Sequence, residues 1–248
     1  IVAGYPFIFN VECTAEQHRT MPAWWGHRKD FVNDTIQAAL SKVLSDPADI
    51  RWLDLATEVS ALLDERHIQV YVADPAIQAV FRGHGWDGAM EETQGDYLLV
   101  ADANVGYNKV SPNIEQFVDY RADINASQRV RATLSVRYHN RCTSAPLVCD
   151  KWTQYVPTYE SLTQGCYWDY VRIYVPAGAE LRSSRGGDQP MVVSSELGRT
   201  VFATSLTLRP GEHRELRLEY LLPPDLMRDN TYSLVVQKQA GTDNIPAR

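Results

Sequence analysis

Apolar and polar positions along this chain follow two different periods, and the change from one to the other divides it. From about His27 to Ser45, apolar side chains recur at Phe31, Ile36, Ala39, Leu40, Val43 and Leu44, the spacing of a helix with one buried stripe. Asp46-Pro47 ends that helix, because a proline ring cannot continue it. A second helix is predicted from about Ile50 to Arg66, with Leu53, Val59, Leu62 and Leu63 facing inward. His67 to Val72 alternates and is rich in β-branched residues, so it reads as a short strand. Asp74-Pro75 then supplies an N-cap followed by proline at the first helical position. The helix it opens, Ala76 to Arg82, stops at Gly83-His84-Gly85.

After Gly95 the period becomes two. Asp96 to Ala101 is a predicted buried strand, and Arg129 to His139 is the clearest strand in the chain. In the latter Val130, Ala132, Leu134, Val136 and Tyr138 point one way, while Arg131, Thr133, Ser135, Arg137 and His139 point the other. Further strands are expected at Tyr167–Val175, Thr200–Leu208, His213–Leu222 and Thr231–Lys238, with a turn at Pro210-Gly211. Strands separated by turn signals, with no helices between them, suggest a β-sandwich. The predicted class is therefore α+β. Residues 1–90 form a mainly helical part, read as the end of a larger α/β domain, and 91–248 form an antiparallel sandwich.

Composition narrows the function. The 248 residues are 44% apolar and 22% charged, ordinary for a globular protein, and the formal net charge is -7. An acidic chain with no Lys/Arg run is a poor nucleic-acid binder, since that binding rests on counterion release by a basic face. No segment approaches the ~20 apolar residues needed to span a bilayer. The apolar start, Ile1 to Phe9, is short, broken by Gly4 and Pro6, and lacks a basic leader. Any membrane association is therefore expected to come from a segment outside this chain.

The cysteines are Cys13, Cys142, Cys149 and Cys166, with no C-x-x-C pair and no zinc-type spacing. Three of them fall in polar, loop-like stretches, which favours disulfides and an oxidising compartment over buried thiols in a cytosolic protein. Cys142 and Cys149 bracket a loop turned by Pro146, so the expected pairing is Cys142–Cys149 with Cys13–Cys166. The other two pairings that four cysteines allow stay open.

Four segments carry candidate chemistry. Asp102-Ala103-Asn104-Val105-Gly106-Tyr107-Asn108-Lys109 sets oxygen-bearing side chains at alternating positions. It lacks the twelfth-position glutamate of a calcium loop, and Gly106 comes one place early, so no metal is expected. It reads as an Asn/Gly turn, with Asp102, Asn104 and Asn108 as a candidate binding loop. Arg28 and Lys29 open the first long helix, where free N–H groups attract anions, and are a candidate phosphate site or simply two solvated cations. Gly83-His84-Gly85-Trp86-Asp87-Gly88 places a His near an Asp without a nucleophile, and reads as a connector whose Trp86 plugs the core. Cys166-Tyr167-Trp168-Asp169-Tyr170 suits a sugar-stacking platform or, more simply, a strand start whose Trp fills the core. These segments contain no complete catalytic constellation, so neither catalysis nor a cofactor is expected.

The order of several segments resembles a known family. Asp74 to Val80, Gly85-Trp86-Asp87-Gly88, Gly95 to Val100, Asp102 to Val110 and Cys166 to Pro176 look like an uncharacterised bacterial family catalogued as domain of unknown function four-thousand-and-twelve. The resemblance spans roughly residues 27 to 240. It implies a secreted or membrane-anchored protein with an N-terminal transmembrane helix and a further α/β segment before the part seen here. A second resemblance, over residues 27 to 82, is to the closing part of LytR-CpsA-Psr proteins, which transfer cell-wall glycopolymers from a polyprenyl-pyrophosphate carrier. Arg28 stands where such a protein holds the pyrophosphate with arginine, but the denser arginine pattern and the catalytic half are missing. The resulting expectation is a non-catalytic, extracytoplasmic envelope module, with a structural or interaction role toward an envelope protein or glycan, or as a subunit of a membrane-associated assembly. The alternative is a part of a LytR-CpsA-Psr-like transferase.

Overall fold

The computed structural model describes residues 30–45, 47–106, 108–125, 129–143, 149, 163–227 and 229–243. They form three α-helices followed by nine strands, an α+β chain with its helices first. The helices are α1 (Asp30–Ser45), α2 (Trp52–Asp64) and α3 (Pro75–Gly83). Asp74 caps α3 as its sequence predicts, its side chain accepting from the Ala76 and Ile77 amides ahead of Pro75. The helical stripes are present but are not covered. Ile36 is 58% exposed, Leu44 69% and Leu53 80%, and Leu63 alone among the described helical side chains is buried. Of the inward-facing stripes expected of α1 and α2, Ile36, Leu40, Leu44 and Leu53 face solvent, while Leu63 is buried.

The strand expected at His67–Val72 does not form. Ile68 to Val72 has no neighbouring strand, and its backbone is held by isolated hydrogen bonds, from the Ile68 amide to the Leu62 carbonyl, the Val70 amide to the Trp86 carbonyl and the Val72 amide to the Gln78 side chain. Arg66, with positive φ, joins this part to the sandwich: its guanidinium pairs with Glu91, and its carbonyl accepts the Gly241 amide at 3.1 Å.

The strands are β1 (Asp96–Ala101), β2 (Ile114–Ile124), β3 (Val130–Asn140), β4 (Tyr167–Pro176), β5 (Glu180–Arg185), β6 (Val192–Glu196), β7 (Arg199–Leu208), β8 (His213–Leu221) and β9 (Leu234–Val236). They make two sheets, ordered β6-β7-β4-β1-β9 and β2-β3-β8-β5. All strand pairs are antiparallel except β1 with β9, which run parallel, a relation that local patterning does not reveal. Strands β2, β5 and β6 were not expected. Each is an edge strand in the sheet order, and β5 and β6 are exposed on almost every side chain, so neither shows apolar alternation.

The core lies between the sheets. Val130, Ala132, Leu134, Val136 and Tyr138 of β3 are all buried, and meet Leu216, Leu218 and Tyr220 of β8 and Val171, Ile173, Phe202 and Leu206 from the facing sheet. Phe202 and Tyr220 pack tilted, with ring centroids 5.3 Å apart. A smaller cluster on the outer side of β1 gathers Tyr97, Tyr174 and Val201 beneath Met90.

Candidate functional site

Strand β1 sets up the most unusual feature of the molecule. Its alternation puts Asp96, Leu98 and Val100 on the buried face, and Asp102, one step beyond the strand, continues the series. Two carboxyls thus flank two apolar residues inside the sandwich, and hydroxyls contributed largely by the opposite sheet meet both.

At one end, the Asp96 carboxyl is fully buried and accepts from the Tyr97 amide at 2.7 Å and from the Tyr120 and Tyr232 hydroxyls. Burial raises its pKa above the usual carboxylate range, against the pull of those donors. The buried Tyr220 hydroxyl has no hydrogen-bond partner.

At the other end, Asp102 lies beside Asp169 of β4. Asp102 Oδ1 accepts from the Tyr138 hydroxyl at 2.8 Å, and Oδ2 accepts from Gln116 Nε2 at 2.6 Å. Its backbone is clamped by the Gln239 side chain, which accepts from the Asp102 amide and donates to the Asp102 carbonyl. Asp169 is 1% exposed; its Oδ1 accepts the Ala103 amide at 2.8 Å, and its Oδ2 meets no donor in hydrogen-bond geometry. Burial raises both carboxyls, and the neighbouring Asp102 charge pushes Asp169 further. Tyr167 lies close enough to lower Asp169 in part. Such a pair can hold a proton.

The loop after Asp102 contains the expected binding residues, and the fold brings them together. Asn104 Oδ1 accepts the Gly106 amide at 3.0 Å, Asn104 Nδ2 donates to Asn108 Oδ1 at 2.8 Å, and Asn108 Nδ2 donates to the Cys166 carbonyl at 2.8 Å. These side chains build the turn and tie it to β4. Gly106 is required by close approach, since a Cβ there would stand 2.7 Å from the Trp168 ring. Trp168 is consequently not the core residue expected of its segment. Tyr167 faces the interior, and the half-buried Trp168 lies under the loop. Among the described residues, no group of three His, Cys, Asp or Glu is arranged to hold a metal.

The disulfide joins Cys149 to Cys166, with Cα atoms 5.7 Å apart. This corrects the expected Cys142–Cys149 and Cys13–Cys166 pairs. Asn140, at the end of β3, accepts the Cys142 amide and donates to the Gly165 carbonyl, which draws Cys142 inward. Its free thiol is buried and donates to the Thr163 carbonyl, while Cys13 lies outside the described residues. Arg28 and Lys29 also lie outside them. His84 and Asp87 do not pair: His84 stacks on Trp86 at 4.7 Å, and Asp87 takes the Arg82 guanidinium at 2.9 Å. Trp86 does not plug the sandwich core but stays half-buried and donates to Asp64.

Asp96, Tyr120, Tyr138, Tyr232, Gln116 and Gln239 were not singled out from sequence as site residues, and Asp169 entered only within the Cys166–Tyr170 segment. A signal did exist for one of them, because Asp96 and Asp102 share a face by parity with two core residues. No protein-family model matches the chain, and no curated protein matches it.

Proposed function

We propose that this chain is a non-catalytic, extracytoplasmic module of the cell envelope, whose sandwich holds the helical part in place for docking on a neighbouring protein of a larger assembly. The observation that carries this reading is the run of exposed apolar side chains on the helices: Val32, Ile36, Leu40 and Leu44 on α1, Trp52 and Leu53 on α2, and Ile77 and Val80 on α3. Val32, Ile36, Leu40 and Leu44 recur every four residues, and an apolar stripe of that kind has a partner in a folded assembly. A protein surface suits it better than a glycan, which would call for polar and aromatic contacts. The Cys149–Cys166 disulfide is compatible with an oxidising compartment, and no described helix is long and apolar enough to cross a membrane.

The test is hydrogen exchange on residues 32–63, compared between the purified protein and the same protein in its native envelope preparation. Protection gained only in the envelope, and lost with Leu40→Asp, is the expected result. Equal exchange in both preparations would remove the reading. Leu40→Asp should leave the stability of the purified chain within about 1 kcal/mol, because the side chain is already 48% exposed.

A further inference from the structure

The two acids at the end of β1 are not equivalent. Asp102 has a neutral donor on each oxygen, the Tyr138 hydroxyl and the Gln116 amide, which is the environment of a carboxylate. Asp169 has one backbone donor, the Ala103 amide, and leaves Oδ2 with none. An ionised carboxylate enclosed with a bare oxygen beside a second negative charge is strongly unfavourable. A proton on Asp169 Oδ2 resolves both problems: it removes the second charge and turns the bare acceptor into a donor toward Asp102. The groups that act on the pair are Tyr138 from β3, Gln116 from β2, Tyr167 from β4 and the Ala103 amide of the loop, and none of them carries a positive charge.

The pair also sits where the loop is attached. The Ala103 amide donates to Asp169, the Tyr170 amide to the Ala103 carbonyl, and the Val105 amide to the Trp168 carbonyl. The loop from Asp102 to Val110 thus hangs on β4 through the residues on either side of Asp169.

We propose that Asp102 and Asp169 share a single proton, and that this proton latches the 102–110 loop to strand β4. Its loss at alkaline pH sets two carboxylates against each other at the point where the loop leaves β1, and frees the loop while the sandwich stays folded.

The experiment is carbon-13 NMR of the aspartate carboxyls from about pH 2 to about pH 10, a range that brackets an ordinary Asp near 4 and reaches well above it. Amide protection factors for Ala103, Val105 and Tyr170 are followed alongside. The expected result is one proton retained by the pair at neutral pH, an alkaline second step, and a tenfold or greater fall in the three protection factors with that step. Amides of β3 should stay protected throughout. Asp169→Asn keeps a donor at the same place and cannot ionise, so its loop should remain protected across the alkaline range. Asp102→Asn removes the repelling charge, so Asp169 should ionise at lower pH without release of the loop; this variant carries the test if Asp169→Asn does not fold. Both carboxyls ionising in the ordinary acid range would overturn the proposal, as would loop release at the same pH in wild type and variant.

Discussion

Replacing Tyr232 by Phe isolates the polar cluster at the opposite end of β1. The ring remains, so packing is largely kept, and what disappears is one hydroxyl that donates to the buried Asp96 carboxyl. Asp96 retains the Tyr97 amide and the Tyr120 hydroxyl. A hydrogen bond to a charged group contributes about 1.5–3 kcal/mol, so the expected loss at neutral pH is about 2 kcal/mol. For a folded unit of this size that corresponds to a melting temperature roughly 4–8 °C lower. The pH dependence gives a second handle. Burial raises Asp96 in the folded state, so its contribution to stability is complete below the unfolded value near 4 and is lost as pH rises through the folded value. The Tyr232 hydroxyl opposes that rise, and its removal lifts Asp96 further. The deficit of the variant should therefore be small in acid and grow as pH increases. Thermal unfolding of both proteins at several pH values measures this directly, with Tyr71→Phe, at a position 82% exposed, as a control expected to change nothing. A deficit under about 0.5 kcal/mol, or one independent of pH, would refute the reasoning.

Two further perturbations probe other parts of the sandwich. Removing the Cys149–Cys166 link by Ala at both positions opens a loop spanning 17 residues and should cost about 3 kcal/mol in denaturant unfolding. Reductant should reproduce that shift in wild type and do nothing to the double variant. Gly186 has φ +97°, and an added Cβ would fall 1.9 Å from the Glu215 carbonyl oxygen, so Gly186→Ala should lose about 3 kcal/mol or more. A native-like urea midpoint for that variant would show that the crossing from β5 to β6 can shift to make room.

The strands with one buried face were legible in advance because side-chain parity is a local property. The residues of β3 that alternate in sequence are the ones buried in the fold, and β4, β7 and β8 begin and end within a residue of where the pattern places them. The Asp74-Pro75 helix start was legible for the same reason, since a cap acts on amides two and three residues away. Edge strands β5 and β6 were not, because without a buried face they carry no alternation to read. Nor was the parallel pairing of β9 with β1, which joins segments more than a hundred residues apart.

The candidate site divides along the same line. Local patterning already showed an unusual turn through Asp102, Asn104, Gly106 and Asn108, and strand parity places Asp96 and Asp102 on one face. The folded arrangement was needed to show that Asp169 comes to lie against Asp102, that Tyr138 and Gln116 reach across from the other sheet, and that Cys166 takes Cys149 rather than Cys13. Periodicity and caps are written within a few residues, where backbone geometry alone fixes the outcome. Which buried carboxyl meets which partner depends on how two sheets stack, and that is settled by the packing of the whole core.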